Sequence, residues 1–250
     1  MTVPGLGANA FDAGYAETRR TDPRLREIVD RLLGGTDSVV NVGCGSGSYE
    51  PPDKFVIGLD PSRTMLSQRG GGISVRAVAE DLPLRSKSVS GVLAVHTLHH
   101  WKDWRLGLDE VCRVGVSRVV IITQDPDCEY DFWLERQYLP QLLDEDWSNF
   151  PAIGEITEYL NDGSVRPFPL PWDFEDGIYE AFWRRPQQYL NPRVRRNISA
   201  FARIGDRDLA TAMQRLENDI TTGRWSEQNA DLVTAPEKDY GYVVISGTPR

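Results

Sequence analysis

The feature that most constrains this chain is a rhythm of short runs rich in Val and Ile. SVVNVG (Ser38 to Gly43), FVIGLD (Phe55 to Asp60), ISVRAVA (Ile73 to Ala79), GVLAVH (Gly91 to His96) and RVVIIT (Arg118 to Thr123) recur about 17 to 28 residues apart. Runs that stay apolar instead of alternating with polar residues predict strands covered on both faces, the state of parallel strands in an α/β sheet. Helical periodicity fills some of the intervals. DPRLREIVDRLL places Leu25, Ile28, Val29, Leu32 and Leu33 on one face, with Asp22 as cap and Pro23 in the first turn. Ser62 to Arg69 and Arg105 to Val114 predict helices after the second strand and before the fifth. After the first strand only Ser48 to Lys54 remain, and Pro51-Pro52 interrupt them, so a single turn or a loop is expected in place of a crossover helix.

Beyond Thr123 the chain changes character. Gln124 to Trp225 holds five of the seven tryptophans and helical patches such as DFWLERQYLPQLL and RDLATAMQRLENDI. VRPFPL (Val165 to Leu170) is a candidate Pro-bounded strand, and YGYVVIS (Tyr240 to Ser246) reads as the last strand. The expected organisation is one domain over 1–250: an N-terminal flap and helix in 1–36, a cap or substrate-binding elaboration in 124–235, and a final core strand in 236–250.

Charge and cysteine usage narrow the partners. With 28 Lys plus Arg against 37 Asp plus Glu, the formal charge of −9 repels phosphate backbones, so nucleic acid is not the expected partner. Three widely spaced cysteines, Cys44, Cys112 and Cys128, fit a reducing compartment, read here as the cytoplasm. No run approaches the roughly 18 apolar residues of a membrane span, and the first residues show no apolar targeting core, so neither anchor nor leader is expected.

The chemistry concentrates where the first strand runs into alternating glycines, Val39-Val40-Asn41-Val42-Gly43-Cys44-Gly45-Ser46-Gly47. Glycine lets a ligand approach the backbone. Val56-Ile57-Gly58-Leu59-Asp60 then ends a second strand in an acid, 17 residues after Gly43, where a carboxylate can accept both hydroxyls of a ribose. A dinucleotide site would need G-x-G-x-x-G opening a helix whose N-terminus holds a pyrophosphate. Here the third glycine comes one place early and Pro51-Pro52 spoil the helix. S-adenosylmethionine carries no phosphate and does not need that helix.

At these residues the sequence resembles the class I S-adenosylmethionine-dependent methyltransferases, and within them the small-molecule group of the ubiquinone/menaquinone-biosynthesis type. VVNVGCGSG matches the glycine motif, VIGLDPS the ribose-acid motif, AVAEDLPLRSKSVSGVLAVHTLHHW (Ala77 to Trp101) the block through the fourth strand, and LDEVCRV (Leu108 to Val114) the helix before strand five. The resemblance spans Phe11 to Thr123 plus the last strand. It implies a doubly wound, seven-stranded, mostly parallel sheet of the Rossmann-like methyltransferase fold, with the last strand antiparallel and a helical cap. It also implies S-adenosylmethionine as cofactor, with Gly43, Cys44 and Gly45 lining its methionine and ribose portion and Asp60, followed by Pro61, on the ribose diol. Ala79, Glu80, Asp81 and Leu82 would flank adenine, Val95 and His96 would back the methionine tail, and Tyr15 with Arg19 or Arg20 would close the site. Three departures stand out. Asn41 replaces the family's acid near the methionine amino group, Val78 replaces an Asp that contacts adenine, and Gly115-Val116-Ser117 replaces a Lys-Pro-Gly-Gly turn.

The three histidines, His96, His99 and His100, follow the fourth strand at the sheet edge where α/β folds bind ligands. His99 and His100 are the candidate general bases, against the plainer reading that they only line the site while alignment carries the reaction. No cysteine pair accompanies them, so no metal is expected. Aromatics from Trp133 to Trp183 are either cap core or pocket wall, and Arg184, Arg185, Arg193, Arg195, Arg196, Arg203 and Arg207 are either a solvated face or a patch for an anionic substrate. The expected function is methylation of an O, N or C nucleophile on a small metabolite by a monomer or homodimer. Binding of the cofactor without methylation, and a different use of it, remain as alternatives.

Overall fold

The computed structural model describes residues 18–143 and 149–250. Seven strands form one sheet in the order β3-β2-β1-β4-β5-β9-β6: β1 (Ser38–Val42), β2 (Phe55–Leu59), β3 (Ile73–Val75), β4 (Val89–Val95), β5 (Gly115–Gln124), β6 (Leu160–Pro167) and β9 (Tyr242–Pro249). The pairs β1·β2, β1·β4, β2·β3 and β4·β5 are parallel, and β9 runs antiparallel to both β5 and β6. This is the expected doubly wound sheet with a single reversed strand. A small ladder of β7 (Leu170–Pro171) and β8 (Glu237–Lys238) stands apart from it.

Successive strand residues face opposite layers, and both layers are apolar. Val39, Leu93, Val120 and Ile122 join Leu25, Ile28 and Val29 of the first helix (Pro23–Leu32) and the aromatic residues of the cap. Val40, Val42, Val92, Ala94, Val119 and Ile121 meet Leu108 and Val111 of the helix Trp104–Val114. The first helix starts as its sequence predicts, with the Asp22 carboxylate accepting the Arg24 amide at 2.9 Å and Pro23 at the first helical position. No helix separates β1 from β2, as the Pro51-Pro52 interruption requires.

Three local expectations change. The third run stops at Val75, because β3 is an edge strand bonded only to β2, and the chain then turns across the end of β2 with the Ala77 amide on the Asp60 carbonyl. The helix expected over DFWLERQYLPQLL is Trp133–Gln137 only, since Pro140 bars helical backbone at the residue before it. VRPFPL divides: Val165–Pro167 end β6, while Leu170 and Pro171 pair with β8. The segment 124–235 therefore contributes a core strand as well as a cap.

Candidate active site

The turn after β1 is shaped by close backbone approach. Gly43 has φ +70°, and a Cβ there would lie 1.9 Å from Thr97 Oγ1 in the loop after β4. Its amide and that of Cys44 both donate to the Leu59 carbonyl, at 2.8 and 2.9 Å, which pins the turn to the end of β2. Gly45, at φ +54°, then aims its amide at Asp60 Oδ2, 2.9 Å away, while Ser62 donates to Oδ1 at 2.8 Å. Asp60 is buried, and burial raises its pKa although these two amides pull it back. A carboxylate offers about four lone-pair directions, so two remain for a diol. Gly43, Cys44, Gly45 and Asp60 are thus one cradle, and bare backbone beside a fixed acid fits a ribose and an aminoacyl tail.

Asn41, in the strand beneath, donates from Nδ2 to Glu50 Oε1 at 3.1 Å, and its Oδ1 is buried without a hydrogen-bond partner. Glu50 pairs with Arg69 at 2.9 Å, and Arg69 is almost fully buried. A carboxylate therefore lies one side chain away from Asn41. Spacing alone concealed this, because Glu50 follows the glycine turn by a path with no regular period.

In the segment after β3, Ala79 and Leu82 are buried while Asp81 and Val78 are exposed. Glu80 accepts the Asp103 amide at 3.0 Å, ahead of the helix that Asp103 caps, and Pro61 is exposed beside Asp60. Tyr15 lies outside the described residues. Of the paired arginines, Arg20 is exposed, and Arg19 turns inward to form an ion pair with the fully buried Asp176. Tyr49, from the glycine loop, donates to the same carboxylate at 3.1 Å. Sequence reasoning missed Asp176, Tyr49 and Thr97, because none belongs to a motif or a helical face.

The histidines separate into two environments. His96 ends the fourth strand next to half-buried Val95, at φ +50°, with its amide on the Ile122 carbonyl and its ring edge-on to Tyr242 at 5.3 Å. Its Nε2 is buried without a partner, and burial lowers its pKa to about 4. His99 stacks on Phe150 with ring centres 4.5 Å apart and lies 3.9 Å from His100. Burial also holds His99 well below the usual imidazole range, and its Nδ1 is buried and bare. His100 is exposed.

A stability prediction follows for His96. Between pH 4 and 6.5 the unfolded chain binds a proton at this residue that the folded chain does not, so stability from this group is complete above pH 6.5 and lost as pH falls towards 4. Asp60 and Glu180, both raised, act in the opposite sense, so a variant is needed to isolate it. His96→Asn keeps a residue that tolerates positive φ. Urea unfolding at pH 7 and pH 4 should show the native chain losing up to about 3 kcal/mol more than the variant. Equal losses would mean that His96 carries its proton when folded.

Three of the seven arginines in the Arg-rich stretch are committed to backbone. Arg184 donates to the Ala235 carbonyl and lies over Trp172, Arg185 donates to the Phe174 and Ala181 carbonyls, and Arg195 donates to that of Tyr189. Among the described residues no group of His, Cys, Asp and Glu is arranged to hold a metal, and no helix is long and apolar enough to cross a membrane.

Residues 40–122 match the family described as Methyltransferase domain. A protein of Saccharomyces cerevisiae named for S-adenosylmethionine-dependent methyl transfer, CRG1, is 28% identical over 176 residues, and the match covers 63% of this chain and 58% of that protein. The chain thus spans little more than half the length of this relative. A solved structure from Anabaena variabilis, named for methyl transfer in an antibiotic biosynthesis pathway, superposes with a TM-score of 0.84 at 28% identity, covering 93% of this chain and all of the other. A Thermotoga maritima structure named for S-adenosylmethionine-dependent methyl transfer shares the fold at a TM-score of 0.52 and 18% identity.

Proposed function

We propose that this chain is a class I S-adenosylmethionine-dependent methyltransferase that transfers the cofactor's methyl group to an oxygen, nitrogen or carbon nucleophile of a small metabolite. The observation that carries the reading is the bond from the Gly45 amide to Asp60, which locks bare backbone beside a buried acid. When bound, S-adenosylmethionine supplies an electrophilic sulfonium methyl. Gly43, Cys44 and Gly45 would line its aminoacyl and ribose portion, and Asp60 would accept the diol, with Pro61 alongside. Ala79, Glu80, Asp81 and Leu82 would hold adenine, while Asn41, Val95 and His96 would back the tail. Tyr15 and Arg20 complete the proposed set from the N-terminal side, where Arg19 is the arginine that turns inward.

The residues of this chain accelerate the displacement by holding nucleophile and methyl in line and by excluding water. His99 and His100 are the proposed bases. A neutral ring with a bare nitrogen, as at His99, suits receiving a proton from the attacking group. Three free cysteines accord with a reducing, cytoplasmic setting. The enzyme is proposed to act as a monomer or homodimer on free small molecules, not on nucleic acid.

Calorimetric titration with S-adenosylmethionine, S-adenosylhomocysteine and NAD tests the reading directly. The first two should bind in the micromolar range and NAD should not. Asp60→Ala should weaken the first two by about 1.5–3 kcal/mol, the range for a lost charged hydrogen-bond partner. Unchanged affinity in a folded variant would remove Asp60 from the site.

A further inference from the structure

Glu180 belongs to the cap, between β7 and β8, yet reaches the carboxyl edge of the sheet. Its carboxylate is 2% exposed. One oxygen accepts Tyr242 Oη at 2.6 Å, and the other accepts Tyr130 Oη at 2.8 Å and Gln124 Nε2 at 3.3 Å. Gln124 ends β5 and Tyr242 begins β9, so the acid lies over the strand ends beside His96, whose ring abuts Tyr242. These three neutral donors account for its position, and because no Lys, Arg or His among the described residues pairs with it, burial raises its pKa. Buried carboxylates are seldom left without a cation.

The surroundings are aromatic and polar at once. Tyr130, Phe132 and Tyr240 pack edge-on against one another and Tyr179 packs on Phe132, with centres 5.1 Å apart for Phe132 and Tyr179, 5.3 Å for Phe132 and Tyr240, and 6.1 Å for Tyr130 and Tyr240. The hydroxyls of Tyr179 and Tyr240 and the Nε2 of His96 are buried without hydrogen-bond partners, a concentration that buried polar atoms rarely show. Tyr130 and Tyr179 are only half-buried. A second buried acid, Glu135, lies 3.4 Å from Tyr130 Oη.

We propose that the acceptor substrate carries a positively charged amine, bound by the Glu180 carboxylate beside the aromatic side chains of Tyr130, Phe132, Tyr179, Tyr240 and Tyr242. The assignment rests on the methyltransferase reading and specifies its substrate class. An ammonium group meets an anion and the negative faces of aromatic rings together, and it can donate to the bare tyrosine oxygens. A carboxylate or phosphate would meet like charge here, and three of the arginines that could offset it, Arg184, Arg185 and Arg195, are bonded to carbonyls.

The test is calorimetric titration of the full chain, first with S-adenosylhomocysteine and then, once saturated, with 2-phenylethylamine, 2-phenylethanol and 3-phenylpropanoate. The amine should bind at least about 10-fold more tightly than the alcohol, and the acid should not bind. That preference should vanish in Glu180→Gln and persist in Glu180→Asp, with thermal melts showing that both are folded. The proposal is overturned by an alcohol or acid bound as tightly as the amine, by unchanged amine affinity in folded Glu180→Gln, or by no probe binding to protein that binds S-adenosylhomocysteine. Failure to bind S-adenosylhomocysteine would instead strike the methyltransferase reading. If Glu180→Gln does not fold, the ranking of the three probes on the native chain decides.

Discussion

Gly43→Ala should abolish cofactor binding and cost the fold about 3 kcal/mol or more. Two penalties act together. At φ +70° an L-residue pays about 1–2 kcal/mol for left-handed backbone. The added methyl would then sit 1.9 Å from Thr97 Oγ1 and 2.8 Å from Thr97 Cβ, so either the turn or the loop after β4 must move, at the roughly 1–3 kcal/mol typical of overpacking. Thr97 cannot simply rotate away, because it is buried and accepts the Trp101 indole N–H at 3.1 Å. Gly35→Ala is the control: φ is +78° there, but nothing lies within 4 Å of the new carbon, so only the backbone penalty remains. Thermal melts and S-adenosylhomocysteine titrations on both variants separate the terms. Equal destabilisation of the two would show that the approach of Gly43 to Thr97 is not a real constraint.

Asp176→Ala should be the most damaging substitution outside the glycine turn, at about 3–5 kcal/mol, the usual penalty for removing one partner of a buried ion pair. Asp176 is fully buried and joins three parts of the chain: Arg19 from the N-terminal side, Tyr49 from the glycine loop, and its own cap segment. Without it, the Arg19 guanidinium is left in a site only 15% open to solvent. At roughly 2–4 °C per kcal/mol for a chain of this size, the melting temperature should fall by about 6–20 °C. Removing both charges in Arg19→Met/Asp176→Leu should cost less than Asp176→Ala alone, since the part-buried guanidinium goes together with the acid it pairs with. A double variant as unstable as the sum of its parts would mean that the two side chains act independently. Because Tyr49 follows the glycine turn directly, affinity for S-adenosylhomocysteine should fall alongside stability in Asp176→Ala.

The glycine turn and Asp60 were legible in the sequence because their chemistry is local. A strand end, a bare-backbone turn and an acid at the next strand end are bound by neighbouring parallel pairing, so linear spacing carries the geometry. The choice between Arg19 and Arg20 was not legible. Arg19 bridges to Asp176 in extended conformation, where adjacent side chains point to opposite sides, and a shift of one residue exchanges the buried arginine for the exposed one. The histidines divide for a similar reason. His96 ends the strand in left-handed backbone, whereas His99 and His100 sit in the short turn Leu98–His100, so close neighbours in sequence face different surroundings.

The sequence by itself determined the sheet, its apolar layers and the glycine turn beside Asp60, because strand periodicity, helix caps and turn glycines act over a few residues and need no distant partner. Tertiary structure alone decided how the cap closes on that frame. Tyr49 meets Asp176 across 127 positions, and Gln124 and Tyr242 converge on Glu180 from 56 and 62 positions away. No spacing rule anticipates such contacts. Buried polar groups take whatever partner the packed chain brings within about 3 Å, and that proximity is settled only once the apolar layers have closed around them.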